Sequence, residues 1–220
     1  MTRLSISLLM GLVALGAGSP AAAGEAKDVS GPYIGIDVGG QELSDHYFGE
    51  FVTGGAPWDV GTHFATGLVV GVHGGYDRQV GKLLIGGEAD FEVPNQTVAY
   101  GEDSWTYSSK ITAQGSVRLR LGLVAGRVQV YATGGLAVAE IKNTYLDPVY
   151  SVDNRLARTN AGYIVGGGLG CGVGDRITVR LEYRYTDFGV LSTDVNTGWD
   201  TIDRNRDKSQ SVRAGVSLQL

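Results

Sequence analysis

Residues 181–189 read LEYRYTDFG: Leu181, Tyr183 and Tyr185 alternate with Glu182, Arg184 and Thr186. In an extended strand that spacing puts rings and aliphatic groups on one face and charges on the other. A soluble sheet would turn the charged face to water, whereas a membrane barrel inverts the order and stores its charges inside. The rest of the chain has to decide between the two.

The alternation runs back through Ile177 and Val179, so the segment spans 176–190, and seven more segments share its period: 32–40, 63–77, 82–94, 107–122, 127–141, 159–173 and 208–220. Ile111, Ala113, Val117, Leu119 and Leu121 share one face of the fourth segment, opposite Arg118 and Arg120. No segment has the helical period, and proline does not interrupt any of them, as paired strands require. The connections also alternate: long at 41–62, 95–106, 142–158 and 191–207, short at 78–81, 123–126 and 174–175. This pattern predicts an all-β fold, an eight-stranded antiparallel up-and-down transmembrane β-barrel with short periplasmic turns and long extracellular loops.

Alternation alone would equally suit a soluble, lipocalin-like barrel with its apolar face inward. Two features favour the membrane. The strands reach about a dozen residues, where about 9–11 cross a bilayer at the usual tilt. The polar face also balances: Asp37, Glu88, Asp90, Glu92 and Glu182 stand against Arg118, Arg120, Arg180, Arg184 and Arg213, five of each sign. A solvated face has no need of balance, but a closed lumen does, because an unpaired buried charge is heavily penalised. Arginine in place of lysine fits, since its planar fork bridges several carboxylates. These ten residues are expected to form a structural ion-pair network in the barrel interior.

Small residues would have to separate such bulky groups, and the glycine strip Gly166 to Gly172 is expected to make room for Arg180 or Arg184. Phe64, Phe91, Tyr107, Tyr163, Tyr185 and Phe188 fall toward the long-loop ends and Tyr76 toward the short-turn end, as interfacial belts would.

The chain has 220 residues, a formal net charge of -5, 35 Gly and one Cys. The single Cys171 excludes an internal disulfide, and the acidic balance argues against nucleic acid as a partner. Residues 1–23 carry Arg3, an apolar run from Leu4 to Ala17 and a small-residue end at Ala21 to Ala23, so a secretory signal peptide removed after Ala23 is expected. A short lead, 24–30, would precede the barrel at 31–220.

GPYIGIDVGG at 31–40, LEYRYTDFG at 181–189 and SVRAGVSLQL at 211–220 resemble the small eight-stranded outer-membrane β-barrel proteins of Gram-negative bacteria, often labelled porin-family, opacity-like or surface-antigen proteins. The similarity covers residues 31–220. It implies a place in the bacterial outer membrane, contact with outer-membrane lipid and lipopolysaccharide, and recognition of the last strand by the insertion machinery. It also implies a structural or surface role, with host or cell-surface molecules as partners of the loops. One departure is Leu220, where such chains commonly end in an aromatic residue.

Catalysis is the chief rival. The chain has three histidines, and Asp45 with His46 could act near the extracellular rim as an outer-membrane lipid hydrolase. Adjacent residues of this kind arise easily by chance, and His73 would lie in the lumen near the short turns, so no catalytic residue is assigned. No cofactor or metal site is expected either; Glu42, Asp45, Glu50 and Asp59 read as a solvated acidic loop. Tyr47, Phe48, Phe51, Trp58, Trp105 and Trp199 could make an adhesive loop surface or pack the loops on one another. The expected function is therefore structural or at the surface, in a barrel whose lumen is plugged by side chains and passes small ions at most. An adhesin or surface antigen is the alternative.

Overall fold

A computed structural model describes residues 28–51, 56–102, 105–149, 152–193 and 201–220. The expected signal peptide at 1–23 lies outside the described residues. The described chain is all strand: β1 (Gly31–Phe51), β2 (Trp58–Val80), β3 (Leu83–Pro94), β4 (Thr97–Glu102), β5 (Trp105–Ala125), β6 (Val128–Asp147), β7 (Val152–Val173), β8 (Ile177–Thr193) and β9 (Thr201–Gln219). Consecutive strands pair antiparallel, except that β4 follows β3 along β5, and β1 pairs with β9 to close a ring.

Nine strands make eight staves. β3 lies against Gln114–Leu123 of β5, and β4 continues alongside Trp105–Lys110. The break falls at Asn95 and Gln96, just after Pro94, which has no N–H to offer the ladder. The Asn95 N–H donates instead to the Leu68 carbonyl at 2.8 Å.

Tight turns collect at one end. Gly81, Gly126 and Gly174 occupy φ of 62°, 63° and 74° there, the left-handed conformation that glycine adopts without strain. At the other end the expected long loops prove to be mostly strand: β1 continues to Phe51, β2 starts at Trp58, β6 runs to Asp147 and β7 starts at Val152. Beyond the bilayer the backbone pairs still find partners, but the outward residues turn polar and the alternation that marks a strand in sequence fades.

The barrel is apolar outside. Leu119 is 76 % exposed and Leu136 73 %, while the side chains that alternate with them on the same strands, Arg118 and Thr133 among them, are buried. The outward apolar band ends at Val38 on β1, Val138 on β6 and Val212 on β9. Past it come Glu42, then Glu140 and Lys142, then Gln210, Lys208 and Arg206. The strands therefore project beyond the membrane as a neck on the side away from the short turns.

Two bulges alter the expected faces. A register shift between Ile111 and Ala113 leaves Thr112 as the extra residue, so Ile111 is fully buried inside rather than sharing an outer face with Val117. A second shift, between Asp187 and Val190, turns Val190 outward, while Phe188, at the inward parity of Thr186, is buried inside. Ile111 and Phe188 join Leu43, Val98, Ala137, Ala139, Ile141 and Ile164 in an apolar layer across the interior. Tyr107 also points inward, so neither it nor Phe188 belongs to an interfacial belt; Phe64, Phe91, Tyr163 and Tyr76 do face outward.

Candidate functional site: the lumen network

Six of the eight staves contribute a charged group to the membrane-level lumen, each at an inward position of the period-two pattern. All ten residues singled out in the sequence face this space, and ion pairs join them. Arg118 donates to Glu88, to Glu182 and to Asp90, the last at 2.9 Å. Arg180 donates to Asp37 at 2.8 and 3.1 Å and to Glu88. Arg184 reaches Glu92 at 2.6 Å, Asp90 at 3.3 Å and Glu182. Arg213 pairs with Glu92 and donates to the Gln41 Oε1 atom at 3.0 Å.

Arg120 joins through Asp77 at 2.9 Å, a residue outside the expected ten, and through the Tyr33 hydroxyl at 2.6 Å. Its guanidinium stacks over the Tyr131 ring, 4.2 Å from the centroid. Tyr33 and Tyr131 donate their hydroxyls to Glu88 and Glu182, each at 2.9 Å. The two tyrosines alternate with outward apolar neighbours, Ile34 and Val130 among them, so the parity of their positions marks them as interior.

Glycines make the room for this network in two ways. Gly166, Gly168 and Gly170 lie directly opposite Arg184, Glu182 and Arg180 in the β7–β8 ladder. The space above Gly168, however, is taken by the Tyr131 ring of β6, 2.7 Å from where a Cβ would stand, and Gly170 faces Gln129 and Thr178. Room for Arg180 comes from Gly215, whose added Cβ would meet Asp37 Oδ1 at 2.0 Å and Arg180 Nε at 3.1 Å. The strip thus serves chiefly Tyr131 and its neighbours, with Arg184 Cγ 3.5 Å from where a Cβ on Gly166 would stand.

At the short-turn end His73 Nδ1 lies 2.8 Å from Asp37 Oδ2, and His73 Nε2 lies 2.8 Å from Ser217 Oγ. The order Asp, His, Ser is that of a nucleophilic triad. Ser217, however, borders a cavity of about 20 Å³, room for roughly one water and no acyl substrate. The lead segment before β1 packs at this end: Gln219 donates to the Ser30 carbonyl at 2.7 Å, and Val29 packs on Leu84 and Val124. Asp45 and His46 make no dyad. Neighbours on one strand point to opposite faces; Asp45 is buried against Asn205, while His46 bonds Asp59 at 2.9 Å.

Among the described residues no group of three or more His, Cys, Asp or Glu is arranged to hold a metal. Of the candidate adhesive aromatics, Tyr47 stacks inside on Tyr107 and Phe48 packs on His46. The side chains of Phe51, Trp58 and Trp105, and the whole of Trp199, lie outside the described residues.

Comparison with known proteins agrees with this architecture. The chain is 33% identical to a 22 kDa outer membrane protein of Rhizobium leguminosarum over 66% of its length, spanning 63% of that protein. It is 31% identical to a 31 kDa outer-membrane immunogenic protein of Brucella melitensis, over 73% of this chain and 71% of the other. Among solved structures, the outer membrane protease OmpT of Escherichia coli superimposes with a TM-score of 0.55, at 9% identity, over 90% of this chain and 100% of that one, a likeness of fold alone. A family model for the outer membrane protein beta-barrel domain matches residues 9–219. With strands closed in a ring, an apolar outer wall and a match along nearly its whole length, the chain belongs to the outer membrane protein beta-barrel family of the bacterial outer membrane.

Proposed function

We propose that this barrel is a structural and surface component of the envelope, with a lumen plugged by its own side chains and at most a narrow path for ions. The observation that carries the reading is the burial of Arg118, Arg120, Arg180, Arg184 and Arg213 with their carboxylates on the inward face, which supports a lumen occupied by side chains. A small barrel has an interior just wide enough for side chains. In this reading the ten residues hold the barrel shut and act on no substrate. The apolar outer band is the surface for outer-membrane lipid and lipopolysaccharide, and the last strand, β9, is the segment offered to the insertion machinery.

The alternative is an adhesin or surface antigen acting through the extracellular neck. It draws support from the strand extensions beyond the apolar band, and from the Brucella relative, which is itself named immunogenic. A lipid hydrolase built on Asp45 and His46 has against it that the two side chains point to opposite faces of β1.

The reading is tested by electrophoresis and conductance together. Unboiled protein should migrate differently from boiled protein, as a closed barrel does, and planar bilayers should carry no porin-sized current. Large, stable conductance steps would sink the plugged lumen, and solubility without detergent and without a heat shift would sink the barrel.

A further inference from the structure

The ring closes where β1 meets β9, a ladder that runs from Tyr33 opposite Gln219 to Phe51 opposite Thr201. In the neck, Asp45 and Asp207 are direct partners in that ladder, both turned inward and 0 % and 1 % exposed. Partners of this kind hold their Cβ atoms about 4.5–5.5 Å apart. Two ionised carboxylates so placed, away from water, repel each other strongly.

Little on the neighbouring strands offsets that repulsion. The Asn205 amide donates to both Asp45 oxygens, at 3.0 and 3.2 Å, and to the Tyr107 hydroxyl at 2.8 Å. Both Asp207 oxygens are buried without a hydrogen-bond partner. From β2, His63 is the ladder partner of Asp45, but its ring stacks on Tyr100 of β4 at 3.8 Å. Tyr47, Tyr100 and Tyr107 bring neutral rings.

Arg206 and Lys208 flank Asp207 in sequence and so lie on the other face of β9, Arg206 against Asp187 of β8 at 2.7 Å. His46 likewise leaves Asp45 for Asp59. Arg158 lies on β7, opposite Ile141 of β6, and is engaged in an interaction of its own. The pair stands above the apolar band, outside the membrane. Burial pushes the Asp45 carboxyl up to about 6; burial and then the charge of Asp45 push Asp207 up to about 8.

We propose that Asp45 and Asp207 bind and share one proton, a clasp that seals the extracellular end of the seam between the first and last strands. A metal ion would need space and several oxygen ligands, whereas a proton needs neither. The sign of the pH effect follows. Both carboxyls sit above their ordinary range when folded, so the pair is protonated in acid, keeps a single shared proton between about 6 and 8, and loses its stabilisation as pH rises through about 8. Alkaline solution leaves two facing charges that part β1 from β9 in the neck.

The test uses the whole barrel refolded in detergent. The infrared difference spectrum of wild type minus Asp207→Asn at pH 6 should contain the carbonyl stretch of a protonated carboxylic acid. Seam amides at 43–49 and 205–209 should exchange faster in wild type as pH rises from 6 to 9, beyond the intrinsic rate, while Asp207→Asn keeps its protection. If Asp207→Asn does not refold, Asp45→Asn serves the same comparison. No acid carbonyl in the difference spectrum, or one pH profile for both proteins, overturns the clasp. Protection of the wild-type seam by calcium chloride that Asp207→Asn lacks would also overturn it, by assigning the pair to a metal ion.

Discussion

Arg184 and Asp207 are both lumen-facing and each 1 % exposed, yet the barrel treats the two charges in opposite ways. Arg184 lies among Glu182, Asp90 and Glu92, so its charge is met within the membrane-level lumen by three carboxylates. Asp207, in the neck, has an acid for its partner and no donor. Between them lies the apolar layer of Leu43, Val98, Ile111, Ala137, Ala139, Ile141, Ile164 and Phe188. One wall thus encloses two interiors, a lower one neutralised by pairing and an upper one that requires a proton. Pairing makes the lower interior insensitive to its surroundings, whereas an unpaired acid leaves the upper one open to titration.

The largest way to break the comparison is to give the lower lumen the problem of the upper. Arg184→Glu would set a fourth carboxylate among three, and removing one partner of a buried pair already costs about 3–5 kcal/mol. The expected outcome is loss of the heat-modifiable folded band on refolding; an unaltered band would show that the network does not hold the barrel. A smaller effect should come from the layer that separates the interiors. Ile141 is 1 % exposed, and Ile141→Ala should cost on the order of 2–4 kcal/mol, read as a lower denaturant midpoint at unchanged slope. The smallest belongs to an ion pair on the outer surface. Arg206 is 43 % exposed at its side chain, so the introduced carboxylate can turn from Asp187 into water, and Arg206→Glu should move the midpoint least of the three. Equal effects of Arg184→Glu and Arg206→Glu would erase the distinction between lumen and surface.

LEYRYTDFG shows how far the sequence reaches. Its alternation sorts Leu181, Tyr183 and Tyr185 outward from Glu182, Arg184 and Thr186, as the structure has them, and the pattern carries as far as Asp187. Phe188 keeps the inward parity of Thr186; the alternation breaks at Val190, 52 % exposed, because the bulge between Asp187 and Val190 changes which face follows, and nothing in the one-letter code announces it. Ile111 fails for the same reason at the other bulge. Asp77 and His73 were readable as lumen residues by parity, but their partners were not, since Arg120 and Ser217 lie 43 and 144 positions away.

What the sequence determined by itself is therefore local and periodic: strands, their two faces, the inverted order of polarity, and the presence of acids together with arginines on the inward face. Each follows from the two-residue repeat of an extended chain and from the cost of an unpaired charge inside a membrane. The tertiary structure decided what depends on register between distant strands: how far the neck projects, which glycine yields to which side chain, and the meeting of Asp45 with Asp207 across 162 positions. Ring closure sets that register, because the first and last strands can meet only after every intervening pair has fixed its offset.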